Sequence, residues 1–331
     1  MIVMRRRLAY IHIAIIFNVF CVGGIAQDFT SMPEEYTTQK PESVFGVYWD
    51  NDIFFKTDYY YTNGTGISFQ SNLLRLKFLE NFWLFREKLD YSVYRIELWQ
   101  KIYTPVHTDY IDIWPGARPY AGTMTMRYSK DEFSRTKKTS ASLIVGSIGR
   151  PSGTAETQNL IHEAIDNSPA AGWQYQISSD FIINLEQSTD YLLLVNRWFD
   201  ISGGYNFGIG SYRTFGAGKL AFRLGKRNHI FGMYGPTINT TGSNRWQYYV
   251  YCEVSSGIKL FDATMHGGLF NPQNIYSLDY TDTAILNHRV ESGVVFGFNG
   301  IQLRIAGTFI SPEYSGGLSH AWGSVQINST L

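Results

Sequence analysis

The chain has 331 residues, of which 17% are charged and 16% are aromatic, and its 28 Lys and Arg balance its 28 Asp and Glu. A chain with no excess of positive charge is not expected to bind nucleic acid. The 23 Tyr, 22 Phe and 8 Trp suit a surface that lies at a membrane–water interface.

Residues 1–26 have the pattern of a secretory signal peptide. A basic segment, "MIVMRRR", precedes the apolar "LAYIHIAIIFNVF" and a small-residue cleavage site, "GIA", before Gln27. An N-terminal membrane anchor is the alternative, but the apolar run is short and is interrupted by His12 and Asn18. Cleavage would leave Cys252 as the only cysteine, which excludes an internal disulfide and a cysteine-based metal site. We expect an exported protein, with residues 27–42 as a lead-in.

From residue 43 to residue 331, apolar and polar residues alternate in about twelve runs of roughly ten residues, the length of a tilted transmembrane strand. Aromatic residues cluster at the ends of these runs, and short turns such as Asn299–Gly300 alternate with long polar connections. A soluble β-sandwich also has one apolar and one polar face on each strand. The aromatic clusters at the strand ends and the alternation of short and long connections favour an all-β, antiparallel transmembrane β-barrel of about 12 strands.

One segment, Ser152 to Pro169, breaks this alternation and has helical spacing at Leu160, Ile161, Ala164 and Ile165. Thr154 is suited to be the N-cap of a helix, and Pro169 follows its end. We predict a short extracellular loop helix near residues 154–167, whose apolar stripe faces either the barrel wall or lipid. Gln158 and His162 are one turn apart and share a face of this helix.

The segment Asp50–Gln70, "DNDIFFKTDYYYTNGTGISFQ", places many polar residues at the tip of a predicted hairpin. Asn, Asp and Gly supply the backbone angles of turns. Carboxylate and carbonyl oxygens are also the ligands that calcium prefers. Both interpretations remain open from these residues alone.

Two familiar hydrolase motifs have no support in the sequence. "HEAID" at His162 lacks the second histidine of a zinc-protease helix. The chain also has no Gly-x-Ser-x-Gly nucleophile elbow.

Four segments together are more specific, namely "NDIFFKTDYYYTNG", "QKIYTP", "ARPYAG" and "QNLIHEAIDNSPAAGWQYQ". With these motifs in this order, the chain resembles the outer-membrane lipid A 3′-O-deacylase family, twelve-stranded barrels that remove acyl chains from lipid A. The resemblance extends from about residue 43 to the C-terminus. It implies calcium-dependent hydrolysis of a 3′-linked acyl ester of lipid A in the bacterial outer membrane. The implied partners are lipopolysaccharide and outer-membrane lipids, and we expect a monomer.

The resemblance also implies residue roles. His162 corresponds to the family's general base, Asn51 and Asp52 to its Asn-Asp pair, and Thr62 and Gly64 to the start of its second strand. His162, Asn51 and Thr62 are therefore predicted as catalytic residues. Asp52, Thr62 and Gly64 are predicted as calcium ligands.

The sequence departs from the family pattern in two places. An acidic residue that some members carry six positions after the helix histidine is Ser168 here. Basic residues that some members place after "YTP" are missing, because no Lys or Arg lies between this motif and Arg118. The second departure leads to the hypothesis of a less phosphorylated lipid A substrate. A phospholipase-type acyl hydrolase and a non-enzymatic structural or pore barrel are the alternatives.

Overall fold

The computed structural model describes residues 43–55, 57, 59–81, 87–108, 112–164, 166, 169–227 and 246–331. The predicted signal peptide (1–26) and lead-in (27–42) lie outside the described residues, as do Asp58, Ile165 and Ser168.

Twelve antiparallel strands form a closed barrel, in which each strand pairs with its neighbours in sequence and β1 pairs with β12. The strands are β1 Val44–Asn51, β2 Tyr60–Gln70, β3 Tyr91–Thr104, β4 Ala121–Phe133, β5 Lys137–Ile148, β6 Asp180–Val195, β7 Phe199–Gly210, β8 Arg213–Lys226, β9 Trp246–Asp262, β10 Leu286–Phe298, β11 Ile301–Ile310 and β12 His320–Thr330. In the described parts of the connections lie two α-helices, α1 Thr154–Ala164 and α2 Ala263–His266. The predicted barrel and loop helix are confirmed.

The outer wall of the barrel is apolar and the lumen is polar. Along β9, Trp246, Tyr248 and Val250 are exposed, whereas the alternate residues Gln247 and Tyr249 are buried. Successive side chains of a strand point to opposite faces of the sheet. The apolar face is therefore the outside, as in a barrel surrounded by lipid, and a soluble sandwich would bury that face instead. Within the described residues, no helix is long and apolar enough to cross a bilayer, a finding that concerns helices only.

Ion pairs link nearby strands to one another on the lumen side of the wall. Arg304 pairs with Glu291, while Glu186 accepts hydrogen bonds from Arg127 at 2.8 Å and from Arg213 at 3.3 Å. Such pairing offsets the free energy lost when charged groups leave water. A cavity of about 570 Å³ remains among these side chains.

The barrel has two distinct ends. The end opposite residues 43 and 331, here called the loop end, carries the connections 52–59, 105–120, 149–179 and 263–285. An apolar group, the mouth cluster, packs there, and it contains Tyr60, Met265, Leu278 and Tyr314. The opposite end carries the connections 71–90 and 227–245 and three short turns, so the two longest connections, 149–179 and 263–285, are both at the loop end. The longer loops of outer-membrane barrels are extracellular, which places the loop end outside the cell.

Candidate active site

Polar side chains lie on the outer wall where β1 ends and β2 begins. Asn51 is opposite Asn63 in the β1–β2 register, so the two side chains share a face. That face is the outer wall, because Trp49, two residues before Asn51, is 41% exposed there. Asn51 and Asn63, here called the amide pair, therefore lie on the membrane side of the barrel and not in the lumen.

A β-bulge places the predicted residue Thr62 beside β3. The register of β2 against β3 shifts between Tyr61 and Asn63, which leaves Thr62 as the additional residue. Bulges often redirect side chains next to active sites. The Oγ1 atom of Thr62 lies 2.7 Å from Oγ1 of Thr104, and both residues are buried. This hydrogen bond links Thr62 to the strand on which α1 packs.

The connection after β1 holds the predicted ligand Asp52 in place. Asn51 Oδ1 accepts a hydrogen bond from Ile53 N at 2.8 Å at the start of a 3-10 turn that spans Asp52–Phe55. Asp52 is 2% exposed, and its Oδ2 accepts a hydrogen bond from Tyr59 N at 3.0 Å. These side chains therefore do stabilise a turn, and the same hydrogen bonds orient the amide of Asn51 and the carboxylate of Asp52.

Helix α1 packs closely on the outer wall of β3 and β4. A Cβ added at Gly122 would lie 1.6 Å from Thr154 Oγ1, so only glycine permits this approach. Ile102, on the outer face of β3, is 2% exposed because Trp173 and neighbouring apolar residues cover it. Packing therefore requires glycine at Gly122, the last residue of the "ARPYAG" motif, because the start of the helix lies against it.

The helix directs its polar residues toward this wall. Its buried residues are Thr154, Gln158 and His162, which recur at intervals of four, whereas Leu160 is 66% exposed. Of the two predicted orientations of the apolar stripe, the one away from the wall is therefore observed. The predicted N-cap, Thr154, is wrong: it is the first helical residue, and it follows Gly153, whose φ of 66° favours glycine.

Gln158 is a site residue for which the sequence suggested no role. Its Oε1 accepts a hydrogen bond from Trp173 Nε1 at 2.7 Å, and this bond fixes the orientation of the amide. Its Nε2 is buried and has no acceptor within the described part of the chain. A buried donor without an acceptor costs about 1–3 kcal/mol, so this N–H is suited to an acceptor that a substrate supplies. The only signal in the sequence was its spacing of four from His162.

Two other histidines, one half-buried and one buried, have structural roles. His266 Nδ1 accepts a hydrogen bond from Asp262 N at 3.0 Å, and burial lowers the pKa of His266. His320 is 1% exposed, and its Nε2 lies 3.1 Å from the carbonyl oxygen of Tyr61. His162 differs from both, because it lies on a helix that covers the outer wall.

The oxygen-rich composition near the amide pair fits calcium. Asn63 Oδ1 is buried and has no donor among the described residues, and Asp52 adds a carboxylate. The described ranges contain no group of three or more His, Cys, Asp or Glu that could hold a metal. A metal here would therefore need neutral oxygen ligands, which calcium accepts. At Gly64, a Cβ would lie 1.9 Å from the Tyr61 hydroxyl, so packing also requires glycine at this predicted ligand.

Two phenylalanines of the 3-10 turn lie over the outer wall on the other side of β1. A Cβ at Gly323 of β12 would lie 2.5 Å from the Phe54 ring, and one at Gly307 of β11 would lie 2.9 Å from the Phe55 ring. The ring of Phe54 also contacts that of Trp49, with centroids 5.2 Å apart. An open strip of outer wall, with the amide pair at its loop end, therefore runs between these rings and α1.

A closed barrel with an apolar outer wall, a polar lumen and its longest loops at one end defines a bacterial outer-membrane protein. The chain belongs to the LpxR family, because the family model described as outer membrane protein LpxR matches residues 11–331. The structure of LpxR from Salmonella typhimurium is similar, with a TM-score of 0.71 and 15% sequence identity over 87% of this chain and 100% of that one. This likeness supports the fold.

More distant barrels have much lower similarity. The β domain of the Bordetella autotransporter BrkA has a TM-score of 0.41 and 8% identity over 88% of this chain and 99% of its own. An outer membrane channel from Pseudomonas putida F1 also has a TM-score of 0.41 and 8% identity, over 91% of this chain and 99% of its own. No curated protein sequence matches the chain significantly.

Proposed function

We propose that the protein is a calcium-dependent lipid A deacylase that hydrolyses a 3′-linked acyl ester in the outer membrane. Membership of the LpxR family supports a lipid A deacylase at the level of the family. The observation that carries the proposal is the position of His162, which α1 turns onto the outer barrel wall beside the strands of the amide pair. The proposed partners are lipopolysaccharide and outer-membrane lipids, with the protein acting as a monomer.

A site on the outer wall suits an ester whose acyl chain stays in the bilayer. The open strip of outer wall would receive the chain, while the ester lies near the loop end at the level of the amide pair. Little water reaches such a position, so hydrogen bonds to a developing negative charge are worth more than they are in water.

His162 would act as the general base. It accepts a proton from a water molecule, whose oxygen attacks the acyl carbonyl carbon and places a negative charge on the carbonyl oxygen. When this intermediate collapses, the bond between the carbonyl carbon and the sugar oxygen breaks, and His162 returns the proton to that oxygen. The products are a fatty acid and a sugar hydroxyl. General-base catalysis of this kind contributes roughly 10²–10⁴ in rate.

Two amide nitrogens would donate hydrogen bonds to the oxyanion. Ile53 N holds the amide oxygen of Asn51, and Trp173 Nε1 holds that of Gln158, so each NH₂ group is oriented before substrate binds. Removal of one oxyanion donor typically costs about 10²–10³ in kcat.

Calcium would be held by oxygen atoms of the residues at the start of β2 and of the turn before it. These are the Asp52 carboxylate, the Thr62 hydroxyl and the Gly64 carbonyl, as predicted from the sequence, together with Asn63 Oδ1. When bound, the ion would supply Lewis-acid stabilisation of the oxyanion.

The proposal is tested by mass spectrometry of lipid A incubated with the detergent-solubilised protein. We expect the loss of one acyl chain in calcium, no loss in chelator, and a strongly reduced loss for His162→Ala. His288→Ala is the matched control, because His288 lies on β10 and is exposed. Lipid A that stays intact in calcium would refute the deacylase.

The two alternatives predict different outcomes in the same assay. A phospholipase would cleave glycerophospholipid and leave lipid A unchanged. A pore would need an open lumen, whereas charged side chains such as the Arg304–Glu291 pair line the lumen wall and the mouth cluster packs at the loop end. These contacts favour an enzyme over a passive channel.

A further inference from the structure

A second cavity lies at the loop end and has no place in the mechanism above. It has a volume of about 310 Å³, within the range of small-ligand sites. The connections 105–120, 149–179, 263–285 and 311–319 all contribute to its lining. Tyr120 lines this cavity and also packs against Trp173, with ring centroids 5.0 Å apart. Since Trp173 holds Gln158, one aromatic side chain separates the cavity from the candidate active site.

Aromatic rings form much of the cavity wall, and hydrogen bonds hold them in position. The hydroxyl of Tyr120 donates to the carbonyl oxygen of Thr108 at 3.1 Å, and that of Tyr276 donates to the carbonyl oxygen of Ala117 at 2.6 Å. These hydroxyls are thus used within the protein, and the rings line the space between them. Rings that are held in this way lose less conformational entropy when a ligand binds.

The charges at the cavity do not favour an anion. Arg118 is 2% exposed, and it donates to Glu313 at 2.8 Å and to Thr264 Oγ1 at 2.7 Å, so its charge is already paired. Arg118 is the only Lys or Arg among the described lining residues, which also include the carboxylate of Asp112. The Nε of Arg118 is buried without an acceptor in the described structure. It is suited to donate to a neutral oxygen.

We propose that this cavity binds an uncharged sugar ring of the saccharide headgroup of the substrate. The inference rests on the proposed function and adds to it the part of the substrate that the loop end recognises. One face of a pyranose ring carries C–H bonds, which pack on the negative face of an aromatic ring. A phosphate would instead need an unpaired cation.

The position of the cavity suits this role. A headgroup lies above the hydrocarbon layer, at the level of the extracellular loops, and its acyl chain extends down the outer wall. A sugar bound behind Tyr120 would therefore fix the headgroup while the ester lies at the amide pair. Recognition by aromatic rings also accounts for the lack of basic residues between "YTP" and Arg118.

Trp114 is the side chain with which to test the proposal, because it lines the cavity and is 52% exposed. The matched control is Trp198→Ala, since Trp198 is 64% exposed between β6 and β7 at the opposite end. Calorimetry on the detergent-solubilised full chain measures the binding of an N-acetylated glucosamine disaccharide that carries no long acyl chain and no phosphate. Maltose and inorganic phosphate are the competing probes.

We expect the disaccharide to bind, Trp114→Ala to weaken binding by roughly tenfold, and Trp114→Phe to restore much of the affinity. Trp198→Ala should have no effect, and phosphate should not compete. Unchanged affinity in Trp114→Ala, displacement by phosphate, or equal binding of maltose would each overturn the proposal.

The two proposals can fail separately. Lipid A that stays intact while disaccharide binding depends on Trp114 would contradict only the deacylase. If the protein cleaves lipid A but Trp114→Ala leaves the affinity for the disaccharide unchanged, only the sugar site is contradicted.

Discussion

Replacing Gly122 with alanine is expected to remove activity while the barrel still folds. The new Cβ would lie 1.6 Å from Thr154 Oγ1 and 2.5 Å from Ser152 Oγ, at the start of α1. The two hydroxyls can rotate away, but Thr154 Cβ would lie 2.6 Å from the new atom, and ordinary contact begins at about 3.4 Å, so the start of the helix must move by about 0.8 Å. His162 and Gln158 move with it. A misplacement of about 1 Å in a catalytic group can cost roughly 10² in rate, and we expect a loss of that order in kcat.

The assay is deacylation of lipid A by the purified variant, together with a test of barrel folding by its resistance to unfolding in detergent on a gel. Gly216→Ala is the matched control, because a Cβ at this glycine of β8 meets no atom within 4 Å. Wild-type activity in Gly122→Ala would refute the reasoning, since it would mean that α1 need not pack closely on the wall. A failure of both glycine variants to fold would point to the barrel and not to the helix.

Three further outcomes are expected. Gln158→Ala should lower kcat by about 10²–10³ with little change in KM, and a change confined to KM would contradict its role as an oxyanion donor. Asn63→Ala should raise the calcium concentration needed for half-maximal deacylation, and an unchanged calcium titration would remove Asn63 from the ligand set. Burial raises the pKa of Glu313, but Lys259 and Arg118 outweigh this effect and lower the pKa below the ordinary value of 4.5. The ionised carboxylate therefore stabilises the folded loops above pH 4.5 and loses this effect as the pH falls below it, so the melting temperature should fall less with acidification in Glu313→Gln than in the wild type.

The barrel was predictable because a spanning strand carries its pattern within its own residues. Most of the alternate residues of β9 that face lipid are apolar, and that alternation is visible without any knowledge of the partner strands. The existence of α1 was predictable for the same reason, since its period differs from that of the strands. Its described part runs from Thr154 to Ala164, and its predicted end near residue 167 lies outside the described residues.

The sequence left the orientation of α1 open, because an apolar stripe fixes the orientation of a helix only when one side of the helix alone is apolar. In a soluble protein that direction is the core, and Leu160 would be buried. Here α1 buries Thr154, Gln158 and His162 and leaves Leu160 66% exposed. The polar stripe that contains Gln158 and His162 therefore faces inward.

By itself, the sequence determined the strands, the loop helix, the family motifs and the residue types available for chemistry, because these depend on local periodicity and composition. Only the tertiary structure decided which side of the wall each site residue occupies. Closure of the barrel places Asn51 and Asn63 on the lipid side, and Gly122 lets a helix more than thirty residues further along the chain lie against that wall. The orientation of the Gln158 amide also depends on tertiary packing. Trp173 folds over Ile102 and donates to Gln158 Oε1, which leaves Gln158 Nε2 without an acceptor among the described residues. Contacts between residues far apart in sequence leave no periodic signal, so no reading of one chain alone would have located them.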